Sequence, residues 1–584
     1  MSQASANLEQ RARAAVSPAE LRKHLERFST LFRDTGSEDE WKAARYVVET
    51  LTGYGVEAEI LDFNALISWP LAGRLTVLGA DGQEREIPTR TRAFGAQTPP
   101  GGTEAELVFV PFQEPERGAM IFSHRAVAGD YSGLDVRGKV VLSADGGPDG
   151  ILRAQERGAL AHIHIWPSDE DVIHEMIGTP VWGTPTPQTA GRIPRIPALG
   201  VGHAAGRELT ELARLGKVRV SLESNVRTEW MHVPLATGFI PGKSADFLLV
   251  GAHIDSWYEG ITDNATGDAA LLEMARVLSP LRENLRAGVR FCWWPGHSTG
   301  RYAGSTWFVD NHFMQLRRHG LGYLNIDSPG VRETEIFDCR YNMAEIEHIT
   351  AGVVREQTGQ EPNIRRPLRA GDQSFLGAGL PSLGAFRMLP VEHPDRKAVG
   401  GSGGAWWWHS PQDTLDKADA AILGQDVEVY LAMTLRMVTP AVIPYRISAS
   451  ARDFVEQLSG YQEAAGGQLD LSAAIADARH LQELAERLEA TPARDAAVRN
   501  AGLKELTCIL NPVLFTLNGP YEMDPALQLP VLPGLAPAAE LARLDPKSDA
   551  YGFLKTALVR QRNRVRDALW QASMLTERLL AEMS

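Results

Sequence analysis

Phe247-Leu248-Leu249-Val250-Gly251-Ala252-His253-Ile254-Asp255 is the stretch whose reading decides the fold. Its first four residues are an unbroken apolar run of the kind that fills a strand buried on both faces, and the turn-rich segment Gly251 to Asn264 follows. Ala270, Leu271, Met274, Val277 and Leu278 then recur on one face at helical spacing. Two further buried-type runs come next, Val289-Arg290-Phe291-Cys292-Trp293-Trp294 and Tyr323-Leu324-Asn325-Ile326. Strand, helix, strand, helix, strand in that order predicts an α/β fold on a mainly parallel sheet. In such a sheet the side chains at the carboxyl ends of the strands line the ligand crevice.

Each of these strand ends carries a metal-ligand residue type: His253 and Asp255 after the first, His297 after the second and Asp327 after the third. The loop after the first strand adds Asp263, and His409 follows in Trp406-Trp407-Trp408-His409-Ser410-Pro411-Gln412-Asp413-Thr414. Imidazoles and carboxylates meeting at one sheet edge suit Zn²⁺, or Mn²⁺, Fe²⁺ or Co²⁺, and a carboxylate can bridge two ions. The three cysteines, Cys292, Cys339 and Cys508, are too scattered for a thiolate site or a disulfide framework.

Outside this core the texture changes. Leu21, Leu25, Phe28 and Leu31 share a helical face, and the chain then runs into an alternating strand near Val56 to Phe63. Between 105 and 235, short apolar runs such as Lys139-Val140-Val141-Leu142 and Ala161-His162-Ile163-His164-Ile165 are separated by Gly, Asp and Pro turns, which predicts a compact strand-rich insert. Residues 1–104 and 236–445 would then form the α/β domain. Beyond 445, stripes such as Ile475, Ala478, Leu481, Leu484 and Leu488 predict a helical domain over 446–584, with a Pro-rich stretch from Pro520 to Pro546.

The chain has 584 residues, more than the roughly 250–300 over which a single core keeps growing. Its formal charge of −14 argues against a nucleic-acid or anionic-membrane partner and leaves a small-molecule or short-peptide substrate open. Met1 to Glu20 has no apolar run of the secretory kind, and no stretch of ~20 apolar residues exists to span a bilayer, so a cytoplasmic address is expected.

Together these motifs resemble the zinc aminopeptidase family that includes glutamate carboxypeptidase II and the transferrin receptor. Phe32-Arg33-Asp34-Thr35-Gly36-Ser37 is similar to the family's opening motif, Gly251 to Gly267 to its metal strand and His409 to Asp416 to its last ligand segment. Residues 105 to 235, with Leu134 to Leu142 and Ile196 to Gly200, look like its protease-associated insert, and Asn500 to Tyr521 like the helical region that makes a homodimer in the carboxypeptidase branch. The resemblance implies one ion held by His253, Asp263 and Asp327, and a second held by Asp263, His409 and a glutamate. Asp263 would bridge, and Asp255 would fix the tautomer of His253.

Here the chain departs from the pattern. The family has two adjacent glutamates ahead of a Gly-Ser, one the general base and one a ligand, whereas this chain has Trp294-Pro295-Gly296-His297-Ser298-Thr299-Gly300-Arg301-Tyr302-Ala303-Gly304-Ser305. Counting from Trp294 puts His297 in the base position and Ser298 in the ligand position; counting back from Gly304-Ser305 shifts the pairing. His297 can act as base or as metal ligand, because imidazole serves both at neutral pH.

The expected activity is metal-dependent hydrolysis of an amide or related C–N bond in a small amino-acid-like or aromatic substrate, using one or two ions. The alternatives are a metal-dependent lyase, a catalytically silent binding protein, and a serine hydrolase in which Ser298 of the G-x-S-x-G run Gly296 to Gly300 attacks. For the substrate, Trp408 is expected to reach the pocket beside His409, and Arg301, Arg387 and Arg369 are candidates for a carboxylate or oxyanion. Asp372, in Gly371-Asp372-Gln373-Ser374-Phe375, matches only part of another family segment.

Overall fold

The computed structural model describes residues 3–79, 83–111, 128–145, 147–170, 172–216 and 218–583. Its centre is the run of strands Phe247–His253, Gly288–Trp294, Gly320–Asn325 and Ser382–Leu383, which pair in parallel. All seven residues of Phe247–His253 are buried. Alternate side chains of this strand enter different cores: Leu248, Val250 and Ala252 pack with the helix Thr266–Leu278, while Phe247 and Leu249 pack with Phe308, Val309 and Leu316 of the helix Ala303–His319. This two-sided burial is why the strand reads as a continuous apolar run.

The register brings the strand ends level. Trp294 lies opposite His253, and Asn325 opposite Gly251, so the loops carrying His253, His297 and Asp327 leave the sheet at one edge.

The sheet as a whole is mixed, with these parallel strands flanked by antiparallel ones. Two 22-residue strands, Glu57–Leu78 and Arg219–Ile240, pair antiparallel along their length, and the second also runs antiparallel to Gly288–Trp294. The ladder shifts register between Pro70 and Ala72, where a proline has no N–H to give. At the far end, Thr103–Phe109 pairs with Arg219–Ile240 and opens a second parallel set, Val140–Ser143, Ala161–Ile165 and Ala198–Val201. Arg219–Ile240 crosses residue 235 without a break, so the strand-rich segment and the α/β core share one continuous sheet.

The last part of the chain is helical. Ile475, Ala478, Leu481, Leu484 and Leu488 of Ser472–Ala490 are buried, as are Val565, Leu569, Ala572, Leu575 and Leu579 of the 35-residue helix Asp549–Met583. No helix among the described residues is long and apolar enough to cross a membrane.

At the other end, the helices Pro18–Phe28 and Glu38–Gly53 are capped by Ser17 and Ser37, whose hydroxyls accept N–H bonds from Glu20 and Glu40. Between them Arg33 is fully buried and donates to the carbonyls of Ile254 (2.9 Å), Glu259 (3.0 Å) and Gly260 (3.0 Å). One guanidinium thereby fastens the loop that follows His253, supplying donors that its backbone carbonyls would otherwise lack.

His24, 1% exposed, lies 2.6 Å from the Tyr46 hydroxyl and 3.2 Å from that of Tyr54. Burial pushes its pKa from 6.5 down to about 4. The unfolded chain therefore takes a proton on this imidazole near pH 6.5 that the folded chain refuses until about pH 4, so stability present above pH 6.5 is lost on acidification through that window. At ~1.4 kcal/mol per unit the loss is about 3 kcal/mol. Melting curves between pH 7 and 4 should show a fall in Tm that His24→Gln flattens; an unchanged slope in that variant would refute the assignment.

Candidate metal centre

Asp263 is the junction of the site. Its Oδ1 lies 2.9 Å from His253 Nε2 and its Oδ2 3.2 Å from His409 Nε2, with Asp327 Oδ1 3.9 Å from the same His253 nitrogen. Both imidazoles are held from behind. His253 Nδ1 donates to the Asp255 carbonyl (2.9 Å) and His409 Nδ1 to the Glu175 carbonyl (2.7 Å), so in each ring Nε2 is the atom turned to the carboxylate. Asp263 is itself positioned by Asp413, which accepts the N–H groups of Thr262 (2.9 Å) and Asp263 (3.0 Å). The Asp263–Asn264 peptide is cis.

Asp255 meets His253 through its main chain. Its main-chain carbonyl, not its carboxylate, fixes His253; the nearer carboxylate oxygen is 3.7 Å away. The carboxylate instead accepts the N–H groups of His297 (3.0 Å) and Ser298 (3.2 Å) and the Thr35 hydroxyl (3.2 Å). An ionised acceptor bonded to N–H groups of a following loop makes strong bonds, and here they clamp the loop bearing His297 to the loop bearing His253.

His297 Nδ1 donates to Asp372 Oδ2 at 2.6 Å, and the other oxygen of that carboxylate accepts the Ser305 hydroxyl at 2.7 Å. Ser305 is also 2.8 Å from the Ser374 hydroxyl. The His297 ring stacks on that of His253, with centroids 3.9 Å apart and planes 17° apart. His297, His253 and Asp327 each offer a ligand atom within 4.8 Å of the others.

The groups open onto a narrow cleft of ≈ 40 Å³ shared by Asp263, His297, Ser298, Asp327 and His409. Arg301, Tyr302, Tyr341 and Trp408 complete its walls, together with Met176 and Ile177 from the strand-rich segment. Trp408 stacks on His409 with centroids 3.6 Å apart, while Trp407 is fully buried among Val331, Leu389 and Ala405. Arg387 is not in the cleft. Its Nε is 2.8 Å from the buried Asp426, whose second oxygen accepts the Gly330 N–H (2.8 Å), so the pair pins the turn after Asp327. Arg369 is likewise committed, to Asp524. The Ser298 N–H is bonded to Asp255, and His409 Nε2, the nitrogen that would have to activate a serine, faces Asp263.

Sequence reasoning missed the Glu175 carbonyl, and it gave Asp372 no role. The first carries no side-chain signal, because any residue has a carbonyl. The second was visible only as a partial motif; its pairing with His297 depends on how the chain folds.

The charges fit a cation. Burial opposes charge on His253, yet Asp255, Asp263 and Asp327 outweigh it and hold its pKa well above the ordinary imidazole value. Burial likewise opposes charge on Asp263, but the bonds from His253 and His409 hold it well below the usual carboxylate range. For Asp327, burial and the Asp263 charge both raise the pKa. Burial lowers that of His409. The anionic cluster thus draws positive charge to His253, and a divalent ion would supply that charge, its ligands binding deprotonated. His253, Asp263, Asp327 and His409 form a nitrogen-and-oxygen donor set suited to zinc.

Comparison with known proteins agrees with this geometry. Residues 237–434 match the model of Peptidase family M28. The probable lipoprotein aminopeptidase LpqL of Mycobacterium tuberculosis is 27% identical over 424 residues, covering 67% of this chain and 78% of that protein. Leucine aminopeptidase 2 of Trichophyton equinum is 30% identical over 244 residues, 38% of this chain, and there the chain spans about half of the relative, 48%. Among solved structures, the aminopeptidase from Aneurinibacillus sp. strain AM-1 superposes with a TM-score of 0.56 at 20% identity, over 74% of this chain and 96% of that one, which is a likeness of fold. The segment that matches the Peptidase family M28 model, residues 237–434, is also the one that supplies every imidazole and carboxylate of the cluster.

Proposed function

We propose that this chain is a metal-dependent hydrolase of amide bonds in short peptides or amino-acid-like substrates, in which His297, backed by Asp372, is the general base. The observation that carries the reading is the 2.6 Å bond from His297 Nδ1 to Asp372 beside the Asp263 cluster, in a loop where no carboxylate side chain occurs between Trp294 and Ser305. The match of the core segment to the Peptidase family M28 model and the likeness to aminopeptidases support the metallohydrolase class.

The stacking of His297 on His253 favours base over ligand. An imidazole binds an ion along the lone pair in the plane of its ring. Two planes only 17° apart, with centroids separated by 3.9 Å, do not meet at bonding distance, so the two rings do not share one ion in this arrangement. With Nδ1 committed to Asp372, Nε2 is the nitrogen left to take a proton.

A divalent cation held by His253, Asp263, Asp327 and His409 would polarise the scissile carbonyl and acidify a water. His297 Nε2 accepts that water's proton as it attacks and returns it to the departing amine nitrogen. Asp372 stabilises the imidazolium formed in between, and the Ser305 hydroxyl keeps its carboxylate oriented. The Asp255 bonds to the N–H groups of His297 and Ser298 hold the base in place between turnovers. Trp408 and Tyr341 on the cleft wall offer aromatic faces to a substrate residue.

Zinc-loaded protein should hydrolyse alanyl-phenylalanine and lose that activity to a chelator. His297→Ala should lower kcat by about 10²–10⁴ while the metal content per chain stays constant; a fall in metal content would make His297 a ligand instead. Asp372→Asn should lower kcat by about 10–100-fold, again without loss of metal. Activity that survives chelation would sink the metallohydrolase reading.

A further inference from the structure

Arg301 is a buried cation without an anion. It is 4% exposed, lines the metal cleft on one side and, on the other, borders a smaller cavity with Tyr302, Arg369, Ala370 and Gln528. Its Nε is sealed from solvent with no hydrogen-bond partner, and among the described residues its guanidinium makes no ion pair. The nearest compensation is the face of Tyr302, 5.3 Å from the guanidinium carbon to the ring centroid. The other two arginines that the sequence nominated, Arg369 and Arg387, are each tied to a buried aspartate.

The backbone that presents it is strained. Arg301 (φ 48°) and Tyr302 (φ 69°) are consecutive non-glycine residues in the left-handed region, a conformation that persists only where surrounding bonds impose it. Those bonds are present: Arg301 N–H to the Ser298 carbonyl (3.1 Å), Tyr302 N–H to the His297 carbonyl (2.9 Å), and the Gly183 N–H to the Arg301 carbonyl (2.6 Å). The loop that carries His297 is thus bent so that its next charged side chain joins the wall of the same cleft.

We propose that Arg301 binds a free carboxylate of the substrate, making the site selective for short, acid-terminated substrates such as dipeptides. The inference rests on the peptide-hydrolase reading for the substrate's chemistry, since carboxylate is the anion a short peptide carries. A planar guanidinium presents paired N–H donors that match the two oxygens of a carboxylate, and burial without an internal acid leaves those donors to a ligand. Longer or amidated chains would leave the guanidinium unpaired in the complex, which is the cost that discriminates against them.

The test is binding of alanyl-phenylalanine and of its C-terminal amide to the full chain by calorimetry, as purified and after chelation, so that a direct carboxylate–metal contact is separated from Arg301. Wild-type protein should prefer the acid by about tenfold or more in both states, Arg301→Gln should erase the preference, and Arg301→Lys should keep part of it. Arg301→Met should melt no lower than wild type, because no internal partner is stranded; a marked fall in Tm would make the residue structural and overturn the proposal. Equal affinity for acid and amide, or a preference that survives Arg301→Gln, overturns it too. If the preference holds but zinc-loaded protein cleaves neither peptide, the hydrolase reading fails and the carboxylate site stands.

Discussion

A single carboxylate shared by two imidazoles organises this molecule. Asp263 is buried and anionic, a state that is costly without partners, and it meets His253 on one oxygen and His409 on the other. Much of the surrounding construction serves to bring those partners together. Arg33 knots the loop between His253 and Asp263, Asp413 holds the main chain at Asp263 itself, and Arg387 with Asp426 sets the turn that follows Asp327. These second-layer contacts are buried ionic or charge-assisted bonds, and each fixes backbone rather than substrate. The site is therefore rigid by construction, as expected where charge must be placed in advance of chemistry.

The loop after the second core strand meets this cluster through an imidazole. His297 has the carboxylate of Asp372 behind it. Its ring lies flat against that of His253, so it fills the space by stacking while leaving the Asp263 cluster intact.

What the sequence made legible follows from where the information resides. The core strands were readable because burial on both faces leaves a continuous apolar run, and the candidate site residues because strand ends in such a sheet face the crevice; the structure brings His253, Asp263, Asp327, His297 and His409 close together. The antiparallel half of the sheet was not, because Glu57–Leu78 and Arg219–Ile240 find each other across 140 residues of intervening chain and no local pattern names a strand's partner. Arginines were the least readable. The same side chain is a structural pin at Arg387, where Asp426 waits for it, and a guanidinium without an acid at Arg301, where none of the described residues supplies one. Asp255 was placed correctly beside His253, but its carboxylate turned to the amides of His297 and Ser298, a choice made by loop geometry alone.

One contact ties the strand-rich segment to the chemistry. Glu175 and His409 exchange two main-chain bonds of a sort: the Glu175 N–H reaches the His409 carbonyl at 3.0 Å, while its own carbonyl takes the His409 ring proton at 2.7 Å. The orientation of an imidazole in the core is thus set by peptide groups belonging to another lobe. Neither segment alone holds a finished centre: chain order brings Glu175 out first during synthesis and His409 last, so competence would arrive only once both segments had closed on each other.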